Sequence, residues 1–540
     1  MLALTYISII SLLLQLTLGS ESNIQASKPE SKYFTFAENG THLKGITLGG
    51  WLVTEPYITP SLYKNATKIA NGKNSNITIV DEYTLCQALG SNDAKALLDQ
   101  HYKTWITEDD FKQISNDGFN AVKIPIGYWA WKLEGTTNVY PGNFIFEDPY
   151  VGTIQYKYLS NAFNWAGKYN LQIVIDLHGV PGSQNGFTSS GQKLDKPTWL
   201  EKANSTEVTS ALLMDLFQSI TTLGNSSIIA GLELVNAPLG SELNMTLLTE
   251  FYENTLNNYE ILKNKVNNPD WMTNFIIHDA FQSIGYWSDK LNPYYANGNS
   301  SYFKNKNYTF KSTDIIIDHH NYQVFSESDI FSSQYIRLNG VSHFAGWIGQ
   351  QLSSHRQIIG AWSGALTDCA TWLNGVDEGA RYDGTFKSNS TIYSSFAKNQ
   401  TCISQNSIGK WPKEYKKRVR QFIEAQLSSY TSYTNGWFFT NWKTENAPEW
   451  DYQQLKKNGL FPHPFNNLKY FDSDGKMKAS LSSSLYSEYQ SGFTTTLNHV
   501  YQTGFYKNAS TTIKSHSILS SIFVWSLMFL CFALGIVSLF

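Results

Sequence analysis

Eight short apolar runs recur along this chain, spaced widely enough to leave room for helices between them, and that rhythm constrains the fold more than any other feature. They span residues 45–52, 121–126, 171–177, 228–235, 275–278, 315–318, 357–360 and 436–439. Most are continuous rather than alternating in polarity, as expected of parallel strands covered on both faces. Helical signals lie between several of them. Thr107-Glu108-Asp109-Asp110-Phe111 opens one helix, and Leu213-Met214-Asp215-Leu216-Phe217 lies inside another. Strands alternating with helices over about 400 residues predict an α/β fold, a (β/α)8 TIM barrel with insertions in its βα loops. A doubly wound open sheet is the alternative, but no Gly-rich phosphate loop follows any of the runs.

A barrel places its chemistry at the C-terminal ends of its strands. Those ends are polar here. The first run leads to Glu55, the third to Asp176 and His178, and the fourth to Asn236. The fifth ends in His278-Asp279, the sixth in Asp318-His319-His320-Asn321-Tyr322, and the eighth leads to Asn441-Trp442-Lys443-Thr444-Glu445. A single polar residue at a strand end is ordinarily structural; six loaded ends converge on one site. Nucleic acid is not an expected partner, because the net charge is −3 and Lys/Arg runs are absent. An aromatic content of 15% fits a Trp-rich core and equally a surface that stacks on sugar rings.

Both termini carry processing signals. Residues 2–18 are apolar and are followed by Gly19 and Ser20, which reads as a secretory signal over residues 1–20. Residues 518–540 are almost wholly apolar, and no basic flank follows them. Small residues Asn508-Ala509-Ser510 and a polar spacer precede this tail, the pattern of a GPI-attachment signal with Asn508 as the attachment site. A membrane-spanning tail anchor is the alternative. These signals divide the chain into 1–20, the barrel domain over 21–478, a Ser/Thr-containing stalk over 479–510, and a removable signal over 511–540. Sequons for N-glycans stand at Asn39, Asn65, Asn76, Asn204, Asn225, Asn244, Asn299, Asn307, Asn389, Asn399 and Asn508. Of four cysteines, Cys531 lies in the tail. Cys86, Cys369 and Cys402 permit one disulfide and leave one thiol, and Cys369–Cys402 is the pairing expected in an oxidising compartment.

With Leu48-Gly49-Gly50-Trp51, Asp176-Leu177-His178-Gly179 and Asp318-His319-His320 among its motifs, the chain resembles the fungal exo-1,3-β-glucanases of glycoside hydrolase family 5, of the cell-surface type. The match includes Leu48-Gly49-Gly50-Trp51 with Glu55-Pro56-Tyr57, and Ile124-Pro125-Ile126-Gly127-Tyr128-Trp129. Asp176-Leu177-His178-Gly179, Asp318-His319-His320 and Trp442-Lys443-Thr444-Glu445-Asn446-Ala447-Pro448-Glu449-Trp450 continue the match over roughly residues 33–470. In that family an Asn-Glu-Pro triplet carries the acid/base and a Glu-Trp-Ser triplet the nucleophile, two carboxylates about 5–5.5 Å apart. Here the triplets read Asn236-Ala237-Pro238 and Ala361-Trp362-Ser363. Alanine can neither exchange a proton nor attack an anomeric carbon.

The resemblance implies a substrate site from Glu55, Lys123, His178, Asn236, His320 and Tyr322. It adds Phe187 and Phe325 as a clamp on the next sugar, and Trp442 as a remaining aromatic wall. His278 and His319 are expected to be structural, and Asp176, Asp279 and Asp318 to be ion-paired supports. Lys123 stands where the family usually has Arg, and Thr440 where it usually has Trp. Glu233, four residues before Ala237, falls about 13 Å short at ~3.3 Å per extended residue and is not expected to substitute. No metal or cofactor is expected.

The resulting expectation is a secreted, GPI-anchored, monomeric glycoprotein at the cell surface. It keeps the scaffold of a retaining exo-1,3-β-glucanase and binds β-1,3-glucan of the cell wall without hydrolysing it. A slow hydrolase using a displaced carboxylate, and a structural wall protein without a sugar site, are the alternatives.

Overall fold

The computed structural model describes residues 42–133, 138–222, 228–266, 274–288, 290–291, 314–388, 391–392 and 400–502. The expected leader, the Asn508 site, the apolar tail and several sequons lie outside these residues. Among the described residues no helix is long and apolar enough to cross a membrane.

Eight strands form the barrel: β1 (Leu43–Thr47), β2 (Ala121–Gly127), β3 (Gln172–Gly179), β4 (Ile229–Glu233), β5 (Phe275–His278), β6 (Ile315–Asn321), β7 (Arg356–Trp362) and β8 (Gly436–Phe439). The closed order is β1-β8-β7-β6-β5-β4-β3-β2, so each strand pairs with its sequence neighbours and β8 returns to β1. Every pairing is parallel. This is the (β/α)8 barrel that the apolar rhythm predicts.

One buried residue from each strand makes a continuous ring: Leu43, Ala121, Val174, Ala230, Ile276, Ile316, Ile358 and Phe438. The ring mixes small side chains, Ala121 and Ala230, with the large Phe438, as filling a closed barrel interior requires. Gly360 shows how tight the interior is. A Cβ built there would lie 1.9 Å from Asp318 Oδ2, so only glycine lets β7 run past that carboxylate.

Four helices fill the β1–β2 connection: α1 (Pro60–Gly72), α2 (Glu82–Leu89), α3 (Ser91–Trp105) and α4 (Glu108–Asn116). Thr107 and Asp110 close a capping box at the start of α4, where the Thr-Glu-Asp-Asp signal stands. The outer ring continues with α5 (Ile154–Lys168), α6 (Ser205–Thr222), α7 (Met245–Val266), α8 (Gln334–Gly349) and α9 (Lys413–Tyr433). A disulfide joins Cys369 to Cys402 in the long β7–α9 insertion, and Cys86 is a buried free thiol.

Two strands end earlier than their apolar runs. β1 stops at Thr47 because Gly49 and Gly50 turn the chain, Gly50 with φ +67°. β4 stops at Glu233, and the backbone then bends until Ala237 adopts φ +45°. The chain divides into two compact units, one through Lys478 and one from Ala479, and helix α10 (Ala479–Gln502) opens the second.

Candidate active site

Lys123 anchors the floor of the barrel mouth. It sits within β2, fully inside the barrel, with its ammonium 2.5 Å from Glu233, 3.1 Å from Asp318 and 3.8 Å from Asp176. Burial works against the charge, yet Asp318, Glu233 and Asp176 together hold Lys123 well above the usual Lys range. One cation cannot balance three buried carboxylates. Burial and repulsion by Asp176 push the Glu233 carboxyl well up, whereas Lys123 overcomes burial to draw Asp176 and Asp318 down.

The backbone does not follow the extended path assumed between Glu233 and Ala237. Because β4 ends at Glu233 and the chain bends, Asn236 Nδ2 donates to both Glu233 Oε1 and Asp176 Oδ2 at 3.2 Å. Glu233 is therefore next to the Asn-Ala-Pro turn, but it is wholly buried and already engaged. The ligand atoms of Glu233, Asp318 and His320 lie within 4.8 Å of one another, a spacing that suits a cation. The Lys123 ammonium fills that role.

Ala237 and Ala361 lie at the mouth, 5% and 6% exposed, at the ends of β4 and β7. The positive φ of Ala237 is uncommon for a residue with a Cβ and costs about 1 kcal/mol or more. Neighbours hold that strained turn in place. Gln184 Nε2 donates to Asn236 O at 2.9 Å, and Asn185 Nδ2 donates to Ala237 O at 3.1 Å. These two bracing residues sit inside a quotable motif, Gly182-Ser183-Gln184-Asn185-Gly186, but only the tertiary contact reveals their role.

The other candidate residues stand at or beyond neighbouring strand ends. His178 Nδ1 lies 2.8 Å from Asp176 Oδ2; burial disfavours its charge, but that carboxylate holds the imidazole above its ordinary range. Burial pushes the Glu55 carboxyl up to about 7, with His178 pulling against the rise and Asp176 adding to it. His320 on β6 pairs in register with Ala361 on β7, which places the two side by side. Tyr322 donates its hydroxyl to Thr440 Oγ1 at 3.0 Å. Phe187 and Phe325 are 43% and 44% exposed, enough to offer ring faces to a ligand. Trp442 does not line the mouth. It is 1% exposed, its indole N–H donates to Asp110 at 2.8 Å, and its ring stacks on Tyr452, so it is a core residue.

Two histidines support the floor. His319 spans Asp279 at 2.7 Å and Gln357 at 2.9 Å; burial disfavours its charge, but the carboxylate holds it above its ordinary range. His278 Nδ1 accepts the Ala280 N–H, which assigns its proton to Nε2. Burial, reinforced by nearby His320, lowers its pKa to about 3.

The site thus combines aromatic faces, hydrogen-bonding groups and an ionic floor, with the methyl groups of Ala237 and Ala361 beside them. No protein-family model matches the chain. Aspergillus niger rutinosidase has a similar fold, with a TM-score of 0.54 at 18% identity over 80% of this chain and 100% of that one. The chain is 49% identical over 473 residues to glucan 1,3-beta-glucosidase 2 of Saccharomyces cerevisiae, spanning 86% of this chain and 83% of the relative. It is 40% identical over 441 residues to glucan 1,3-beta-glucosidase 2 of Candida albicans, spanning 79% and 85%. The sporulation-specific glucan 1,3-beta-glucosidase of Saccharomyces cerevisiae is 40% identical over 430 residues, spanning 79% and 87%. With near half-identity across most of both chains, this protein belongs to the glucan 1,3-β-glucosidase family.

Proposed function

We propose that this member of the family binds β-1,3-glucan ends without hydrolysing them. The observation that carries the reading is the pair Ala237 and Ala361 at the barrel mouth, amid retained Glu55, His178, Asn236, His320 and Tyr322. Loss of general acid–base help costs ~10²–10⁴-fold, and loss of the nucleophile removes the covalent route as well. The nearby carboxylates are committed elsewhere. Asp176 and Asp318 pair with Lys123, and Glu233 is buried beneath Asn236 with its carboxyl pushed well above the usual range by burial. The scaffold has kept the strained Ala237 turn and its braces, which supports a site retained for ligand recognition.

The chain is read as secreted and glycosylated, held at the cell surface by a GPI anchor at Asn508, and monomeric. Calorimetric titration with laminari-oligosaccharides should register binding, while glucose release stays at background. Ala237→Glu with Ala361→Glu should restore turnover. Substantial glucose release by the purified parent chain would overturn the reading, and absence of binding heat would favour a structural wall protein instead.

A further inference from the structure

A groove lies on the barrel flank, away from the mouth. It runs between α6 and α7 as two connected stretches of 510 and 370 Å³ that share Ala211, Met214 and Asn258. Its edges hold exposed apolar side chains that the sugar site does not explain, with Leu247 39% and Ile261 46% exposed. Carboxylates and an amide rim it at Glu207, Glu250 and Asn258.

Both helices that wall this groove begin at a sequon. Asn204 and Asn244 each accept the first helical N–H through their backbone carbonyl, from Val208 and Leu248. Glu207, Ala211 and Met214 follow Asn204 at steps of three, seven and ten residues; Leu247, Phe251 and Asn254 follow Asn244 at the same steps. Residues so spaced share one helix face, so both asparagines stand at the head of the groove-facing stripe. They are not equivalent. Asn204 Nδ2 is engaged with Ile145 O at 3.1 Å. Asn244 uses Oδ1 to cap α7, accepting from Thr246 N at 3.0 Å and Leu247 N at 3.3 Å, which leaves its Nδ2 for substitution.

We infer that the groove is a cradle for the chain's own N-glycan, attached at Asn244 and laid down between α6 and α7. The inference rests on the reading of the chain as secreted. Attachment draws on a lipid-linked oligosaccharide pyrophosphate: the Nδ2–C1 bond forms, the C1–O phosphate bond breaks, and the amide proton leaves with the pyrophosphate. The groove suits such an occupant. N-acetyl methyl groups and sugar C–H faces fit the floor of Ala211, Met214 and Phe251, and hydroxyls meet the carboxylate and amide rim. From Glu207 to Gln218 the wall is about 17 Å long at ~1.5 Å per residue, enough for several sugar rings.

The full chain secreted from a glycosylating yeast tests this. Glycopeptide mass spectrometry should find Asn244 occupied. Under native conditions endoglycosidase should release that glycan at least about tenfold more slowly than one at exposed Asn65, since a docked sugar must first leave the groove. Asn244→Asp keeps a capping oxygen and Thr246→Ala keeps Asn244 itself, yet both abolish the sequon; each should lower Tm and raise hydrogen exchange in α6 and α7 alike. Ala211→Trp, which fills the floor, should make the Asn244 glycan as labile as that at Asn65. Equal release rates at Asn65 and Asn244 in the parent would overturn the cradle, as would other sequons occupied with Asn244 bare. Absence of sugar at every sequon would overturn the secretory reading along with it.

Discussion

Replacing Lys123 with methionine tests the electrostatic design of the barrel floor. Methionine matches the length of the lysine stem but removes the ammonium that lies 2.5, 3.1 and 3.8 Å from Glu233, Asp318 and Asp176. Breaking a buried ion pair by removing one partner costs about 3–5 kcal/mol, because the other charge stays buried and unbalanced. With unfolding entropy near ~2.1 cal/mol/K per residue, a barrel of this size loses about 3–6 °C in Tm for that energy. The pH profile gives the sharper signature. In the parent, Asp176 and Asp318 are depressed, so the stability they confer is present above the unfolded Asp pKa of about 3.9 and is lost as pH falls through their folded values. Without the ammonium, burial raises both. The Lys123→Met protein should then gain stability relative to the parent as pH falls from about 8 toward about 4, where its carboxylates take up protons. Calorimetry across that range reads both effects, and Lys123→Arg, which keeps the charge, should lose less than Lys123→Met. A Lys123→Met protein with parental Tm at about pH 8 and a parental pH profile would refute the role given to the ammonium.

Three further outcomes can be measured directly. Glucan affinity should rise about fivefold between pH 5.5 and 8.5 as Glu55 ionises near 7 and its bonds to sugar hydroxyls become charge-assisted; titration of Glu55→Gln should show no such rise. Phe187→Ala and Phe325→Ala should each weaken binding of laminari-oligosaccharides about 5–10-fold, leaving Tm unchanged because both rings are more than two-fifths exposed. Gly360→Ala should destabilise the barrel by about 3 kcal/mol or more in denaturant titration, since its methyl group would displace the Asp318 carboxylate from Lys123 and from the Gly360 N–H.

The sequence by itself determined the architecture. Continuous apolar runs report strands buried on both faces, and β5 and β8 match their runs residue for residue. It also displayed the two alanines, since Asn-Ala-Pro and Ala-Trp-Ser are local strings that require no folding to read. Tertiary structure alone decided which polar groups are spent on one another. Lys123 and Asp318 are separated by 195 residues yet bonded, and Asn441 and Tyr57 by 384. Such partners converge only when the barrel closes. The same closure turned Trp442 into the core toward Asp110, although its motif suggested a wall of the mouth. It also brought Glu233 under Asn236, because the backbone bends where an extended strand was expected. Local periodicity fixes which face of an element is buried. Which charge meets which, and which ring keeps an open face, depends on packing between elements that lie far apart in the chain.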